Sequence, residues 1–154
     1  MDIKQKLEVL RGACLNHELV GSRVTCDPAP TNTDQDVLVL TDLDLFENHL
    51  KPRLVEYDFE NDGSDCGDIS EYLGEDELTF QSFSHGDLNL IVTFSDQFYR
   101  RFLAATSIAK MLNLMSKGQR IALFQAVLYG NAFIPLPDLP APAAPWAAES
   151  FIPY

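Results

Sequence analysis

Two aspartates separated by one residue, Asp34 and Asp36, open the short apolar run Val37 to Leu40. That run is partly β-branched and reads as a buried strand. Side chains alternate faces along a strand, so the two carboxylates point the same way, roughly 7 Å apart along it. Like charges held side by side repel, and a cation between them relieves the repulsion. Oxygen-only ligands select a hard ion such as magnesium. Ahead of the pair, across a loop bearing Pro28 and Pro30, stand Gly21 and Ser22. A glycine lets backbone approach a phosphate closely, and the serine offers a hydroxyl and an amide as donors. Arg23 follows; a guanidinium pairs bidentately with phosphate, or it bridges to a nearby aspartate. The chemistry these residues suit is binding a phosphate chain together with a divalent ion.

The order Gly21-Ser22, spacer, Asp34-Gln35-Asp36 resembles the signature of the nucleotidyltransferase superfamily, which includes DNA polymerase β and the aminoglycoside nucleotidyltransferases. The runs HGDLNLIVTFSDQF and RIALFQAVLYGN look like those of small nucleotidyltransferase-like proteins encoded by tailed phages. The resemblance implies nucleotidyl transfer from a nucleoside triphosphate. Gly21 and Ser22 would hold the terminal phosphates, and Asp34 and Asp36 would bind two magnesium ions bridging the triphosphate and the attacking oxygen. It also implies a third carboxylate on a neighbouring strand. The position followed by apolar residues is Asn89, in NLIV; Asp87 lies two residues earlier on the same face. With Asp87 in the role, the site has an acid to accept the nucleophile's proton or hold the second metal. With Asn89 there, one negative charge is missing, which permits nucleotide binding without efficient transfer.

The elements that must position these groups follow from capping and periodicity. Asp2 with Gln5 forms a capping box for a helix burying Ile3, Leu7 and Leu10, and Gly12 suits its stop. Cys14 to Val20 leads into a first strand, on which the lone His17 reads as structural. After the Asp-x-Asp strand, Thr41 with Asp44 predicts a helix burying Leu45, Phe46 and Leu50, ended or kinked at Pro52. Leu54 to Phe59 reads equally as helix or strand. Phe80 to Ser84 and Leu88 to Phe94 read as strands joined by a hairpin at His85-Gly86-Asp87. Ser95 or Asp96 caps a helix carrying Phe98, Phe102, Ala105, Ala109 and Leu112. Ser116 with Gln119 opens another, with Gly130 at its end. The sum is an α/β (α+β) fold: a small mixed sheet of the nucleotidyltransferase type flanked by N-terminal and C-terminal helices. Residues 1–134 read as the domain and 135–154 as a proline-rich tail, with Trp146 and Phe151 as anchors or a docking peptide.

With 154 residues the chain is large enough for one domain with its own core. No apolar run approaches the roughly 20 residues of a membrane helix, and no signal peptide is visible. The expected compartment is therefore the cytoplasm, the host's if the chain is phage-encoded. Cys14, Cys26 and Cys66 are odd in number and widely spaced, which argues against a disulfide framework or a cysteine zinc site. A net charge of −12 opposes binding nucleic acid through the whole surface.

The charge is unevenly distributed. Leu54 to Tyr99 has no lysine or arginine, whereas Arg100, Arg101, Lys110, Lys117 and Arg120 fall in a stretch without acids. That basic section either grips a triphosphate tail or an acidic partner, or is a solvated face. Asp58 to Asp68 mimics the first half of an EF-hand loop but fails its second half at Asp65 and Ile69, so it reads as an acidic loop. The acceptor of a transferred nucleotide is open between an RNA end, a small-molecule hydroxyl and a protein side chain, and neither base preference nor oligomeric state is set. The competing reading is a catalytically weak or inactive phage protein that inhibits a host factor through its acidic surface.

Overall fold

The computed structural model describes residues 1–31, 33–62 and 80–129. The expected domain boundary, the tail, Gly130 and most of the acidic loop lie outside the described residues. Five strands form one mixed sheet: β1 (Asn16–Val20), β2 (Gln35–Leu40), β3 (Glu60–Asn61), β4 (Phe80–His85) and β5 (Leu88–Thr93). Their spatial order is β1-β2-β5-β4-β3. Only the β2–β5 pair is parallel; the others run antiparallel. β2 and β5 occupy the middle and are covered on both faces, which is why VLVL and LIV read as unbroken apolar runs.

Alternation along the two strands divides the core. Val37, Val39, Leu88, Leu90 and Val92 face one layer, made by Val9 and Leu10 near the N-terminus and by Phe46, Leu50 and Leu54. Leu38 and Ile91 face the other, where Phe98, Phe102 and Ala105 of α5 (Asp96–Leu112) and Phe124 of α6 (Lys117–Tyr129) complete the packing. Asp36 and Asn89 are spaced two residues from Leu38 and Ile91, so the strand period carries them onto this second face. The flanked mixed sheet agrees with the sequence expectation.

Local signals were read with mixed success. Asp2 and Gln5 form the full capping box of α1 (Ile3–Lys6), which tightens into a 3-10 turn over Leu7–Leu10, with Gly12 beyond it at φ +66°. Ser95 caps α5 through the Phe98 amide, and Ser116 accepts from the Gln119 amide at the start of α6. The expected cap at Thr41 moves one residue on: Asp42 accepts from the Leu45 amide to open α3 (Leu43–Leu45). Thr41 is still held by the sheet, its amide donating to Thr93 O and its hydroxyl to Ala13 O. Pro52 does not end the helix. A wider π-turn, Phe46–Leu50, precedes it, and the proline sits in the first turn of α4 (Lys51–Glu56), where its missing donor costs little. No described helix is long and apolar enough to cross a membrane.

Candidate functional site

The first residue after β1 sets the geometry. Val20 is the register partner of Asp36, so the chain leaving β1 turns directly beside the Asp36 side chain. Gly21 makes that turn at φ +84°. A Cβ there would collide with Asp36 Oδ2 and sit 3.0 Å from the Asp36 Cβ and Cγ. Both the backbone angle and the space therefore demand glycine. Ser22 begins the single helical turn α2 (Ser22–Thr25), closed by the Val24 and Thr25 amides donating to Gly21 O. Gln35 latches the strand mouth, donating from Nε2 to Val20 O at 3.3 Å and Asp36 O at 2.9 Å.

The loop leaving α2 is fastened to the α5–α6 junction. Asn113, the left-handed cap of α5, accepts from the Asp27 amide at 3.0 Å and donates back to Asp27 O at 3.2 Å. Arg120 Nη1 lies 3.2 Å from Cys26 Sγ and donates to Leu114 O and Met115 O, each at 2.9 Å. Two long-range contacts thus hold the turn in place against the helical layer.

Of the two candidates for a third position, Asn89 stands beside Asp36, while the Asp87 carboxylate turns to Lys6. Parallel pairing of β2 with β5 sets Asn89 opposite Asp36. Asn89 Nδ2 donates to Asp36 Oδ1 at 3.1 Å, while Asn89 Oδ1 accepts from the buried Ser82 hydroxyl at 2.6 Å. Asp87 lies close by in the chain, since its carbonyl accepts from the Gln35 amide. Its carboxylate instead meets Lys6 Nζ at 3.5 Å. Lys6 is almost fully buried and also donates to His85 O at 3.0 Å. A buried ammonium needs such partners.

Asp34 is exposed at the mouth of β2, ahead of the half-buried Asp36. Arg23 is half-buried next to Ser22, with its Nε enclosed and without a hydrogen-bond partner. His17 pairs in register with Val39 and so projects from the opposite face of the sheet to Asp36. Among the basic residues on the helices, Arg100 meets Asp96, Arg101 donates to Leu128 O, and Arg120 is engaged as described. Among the described residues, no group of three or more His, Cys, Asp or Glu side chains is arranged to hold a metal ion.

Sequence reasoning missed Ser82, Lys6 and Asn113. Ser82 carried a faint signal, as a small polar residue at an inward position of a strand. Lys6 and Asn113 act across most of the chain length, and no local pattern marks them.

Away from the site, Tyr99 in the first turn of α5 has its hydroxyl buried with no hydrogen-bond partner. Burial, then the charge of Glu18 and the neighbouring Cys14 thiol, push its pKa up to about 12. Burial likewise pushes the Cys14 thiol up, so it is a packing group and not a reactive thiolate. Because the neutral phenol is the form the fold favours, its contribution is complete below pH 10 and is lost as pH rises towards about 12. Tyr99→Phe should remove the latest step in a spectroscopic tyrosinate titration and flatten the alkaline loss of stability. At neutral pH it should raise stability by about 1 kcal/mol in urea denaturation, since a buried unsatisfied hydroxyl is lost.

The five-stranded mixed sheet and its flanking helices define an α/β fold. A solved structure, that of the conserved protein GrpB from Enterococcus faecalis, is similar with a TM-score of 0.51. The two are 16% identical, and the match covers 81% of this chain and 87% of GrpB. No protein-family model matches the sequence, and no curated protein matches it.

Proposed function

We propose that this protein takes a nucleoside triphosphate with magnesium into the corner between the Gly21-Ser22 turn and the Asp34–Asp36 strand mouth, and transfers the nucleotide to an acceptor hydroxyl, whose oxygen bonds to the α-phosphorus as the α–β phosphoanhydride bond breaks and pyrophosphate leaves. The observation that carries the reading is the contact between Gly21 and the Asp36 carboxylate. It sets the Gly-Ser turn directly against the carboxylate of Asp36, which supports a site shared by the turn and the strand mouth.

Residues at the corner have separable tasks. The Ser22 hydroxyl and amide would donate to the terminal phosphates, and the enclosed Arg23 Nε is a donor in want of an acceptor. Asp34 and Asp36 would hold a magnesium ion, which binds readily through one or two carboxylates plus substrate phosphates. Bound there, the ion would supply charge neutralisation at the phosphoryl group and lower the pKa of an attacking hydroxyl. Gly21 and the clamped loop fix the turn, so the phosphates would be oriented by backbone rather than by flexible side chains.

A second reading is favoured by Asn89: a protein that binds nucleotide but transfers it poorly or not at all, and acts by occupying a partner. The amide at this position donates to Asp36 where a carboxylate would add a metal ligand and a base. One assay separates the two. Labelled triphosphates, magnesium, RNA and cell lysate are incubated with the protein, beside a control carrying Asp34→Ala and Asp36→Ala. Label transferred by the wild type and lost in the control is the expected result. Magnesium-dependent binding without any transfer would favour the second reading, and no binding at all would refute both.

A further inference from the structure

We infer that Asn89 is a positioning residue that makes uptake of the divalent ion and of the phosphate chain mutually dependent: the corner holds the ion only when the nucleotide brings its phosphate oxygens. This rests on the reading of the corner as a nucleotide site and adds the order in which its ligands enter.

Two hydrogen bonds fix which way the Asn89 amide faces. The Ser82 hydroxyl donates to Asn89 Oδ1 at 2.6 Å, and Ser82 is buried. The amide is therefore held with its NH2 end towards Asp36, 3.1 Å from Oδ1. The reverse orientation would set the amide oxygen against a carboxylate oxygen. Asp36 thus has a fixed donor on Oδ1, and its Oδ2 lies against Gly21. A charge-assisted hydrogen bond of this kind stabilises the carboxylate without a cation.

An incoming ion consequently finds few open oxygens. Asp34 stands free of the strand core, Asp36 is partly engaged, and Asn89 presents hydrogens rather than an oxygen. Asp87, whose carbonyl accepts from the Gln35 amide at the strand mouth, has its carboxylate paired with Lys6. Magnesium requires near-octahedral oxygen coordination and dehydrates reluctantly. Two carboxylates, one of them hydrogen-bonded, do not offset that dehydration, whereas phosphate oxygens supply the missing ligands. Coupling of two ligands is reciprocal, so the nucleotide must also depend on the ion. An aspartate at position 89 would reverse the situation. Two carboxylates in van der Waals reach cannot both stay ionised without a cation, and the ion would then bind by itself.

The test uses the full chain in calorimetry and thermal denaturation, with manganese chloride alone, ATP alone, a non-hydrolysable ATP analogue alone, and each nucleotide with manganese. For the wild type, manganese alone should give neither heat nor a shift in melting temperature. Metal should tighten nucleotide binding by about tenfold or more. Asn89→Asp should melt lower than wild type in chelator, regain that loss in manganese alone, and bind manganese without nucleotide at least about tenfold more tightly than wild type. Ser82→Ala, which frees the amide to rotate, should give a smaller gain in the same direction and serves if Asn89→Asp does not fold. Wild-type binding of manganese alone as tight as in the presence of ATP would overturn the inference while leaving the nucleotide site intact. Absence of any response to manganese and ATP together would instead overturn the proposed function, and this inference with it.

Discussion

Gly21→Ala should cost about 2–4 kcal/mol of stability and abolish magnesium-dependent nucleotide binding. Two penalties add. An alanine at φ +84°, ψ −174° is strained in a backbone region that is essentially glycine-only, at about 1–3 kcal/mol. Its methyl also collides with the Asp36 carboxylate, which cannot retreat because Asn89 holds it from the other side. Gly12 provides an internal control, at φ +66° with nothing within 4 Å of the Cβ it would gain. Gly12→Ala should therefore show the strain alone, about 1 kcal/mol. In an Asp36→Ala background, Gly21→Ala should cost less than in wild type, because the steric partner is gone and only the backbone strain remains. Urea denaturation of the four variants gives each number. Equal costs at Gly12 and Gly21 would mean that the turn does not press on the acidic strand.

Phe102→Ala should be the most damaging core substitution among those considered, at about 3–5 kcal/mol. The ring is fully buried, with its centroid 5.8 Å from Phe98 and 4.9 Å from Phe124. Phe98 in turn stacks on Phe80 of β4 at 5.4 Å. One aromatic column thus runs from the sheet through α5 to α6, and Phe102 is its middle member. Removing it opens a cavity that rigid neighbours on both sides cannot fill. The site should suffer as well, since Asn113 and Arg120 at the end of that layer hold the loop after α2. Met111→Ala, on the exposed side of the same helix, should stay within about 0.5 kcal/mol. Comparable losses from the two substitutions would contradict the assignment of α5's buried face.

How much of this was legible beforehand depends on the range of the cause. The Asp2–Gln5 box, the Ser95 cap, the hairpin about Gly86 and the buried β2 run are set by neighbours a few residues away, and all could be read. The meeting of Gly21 with Asp36 could be anticipated because a turn of few residues leaves the chain little choice after β1. The choice between Asp87 and Asn89 could not. Alternation assigns both to one face, and only the parallel register with β2 puts Asn89 opposite Asp36. The partner that claims Asp87 is Lys6, on a helix at the other end of the sequence. The shift of the cap from Thr41 to Asp42 has a similar origin: the sheet keeps Thr41 through bonds to Thr93 and Ala13, which no local pattern reveals.

In sequence, the basic section of the helices admits a phosphate grip, an acidic partner or a solvated face. In the fold, Asp96 engages Arg100, the Leu128 carbonyl engages Arg101, and the Leu114 and Met115 carbonyls engage Arg120. Arg23, beside the turn itself, has an enclosed Nε without a hydrogen-bond partner, as has Arg101.

The most direct measurement maps a paramagnetic ion onto the chain. With manganese and ATP added to isotopically labelled protein, the amide resonances of Gly21, Ser22, Asp34 and Asp36 should broaden first and together, while Glu60 and Asp62 in the acidic segment stay sharp. Broadening centred on Glu60 and Asp62, with the turn and the strand mouth unaffected, would contradict the account.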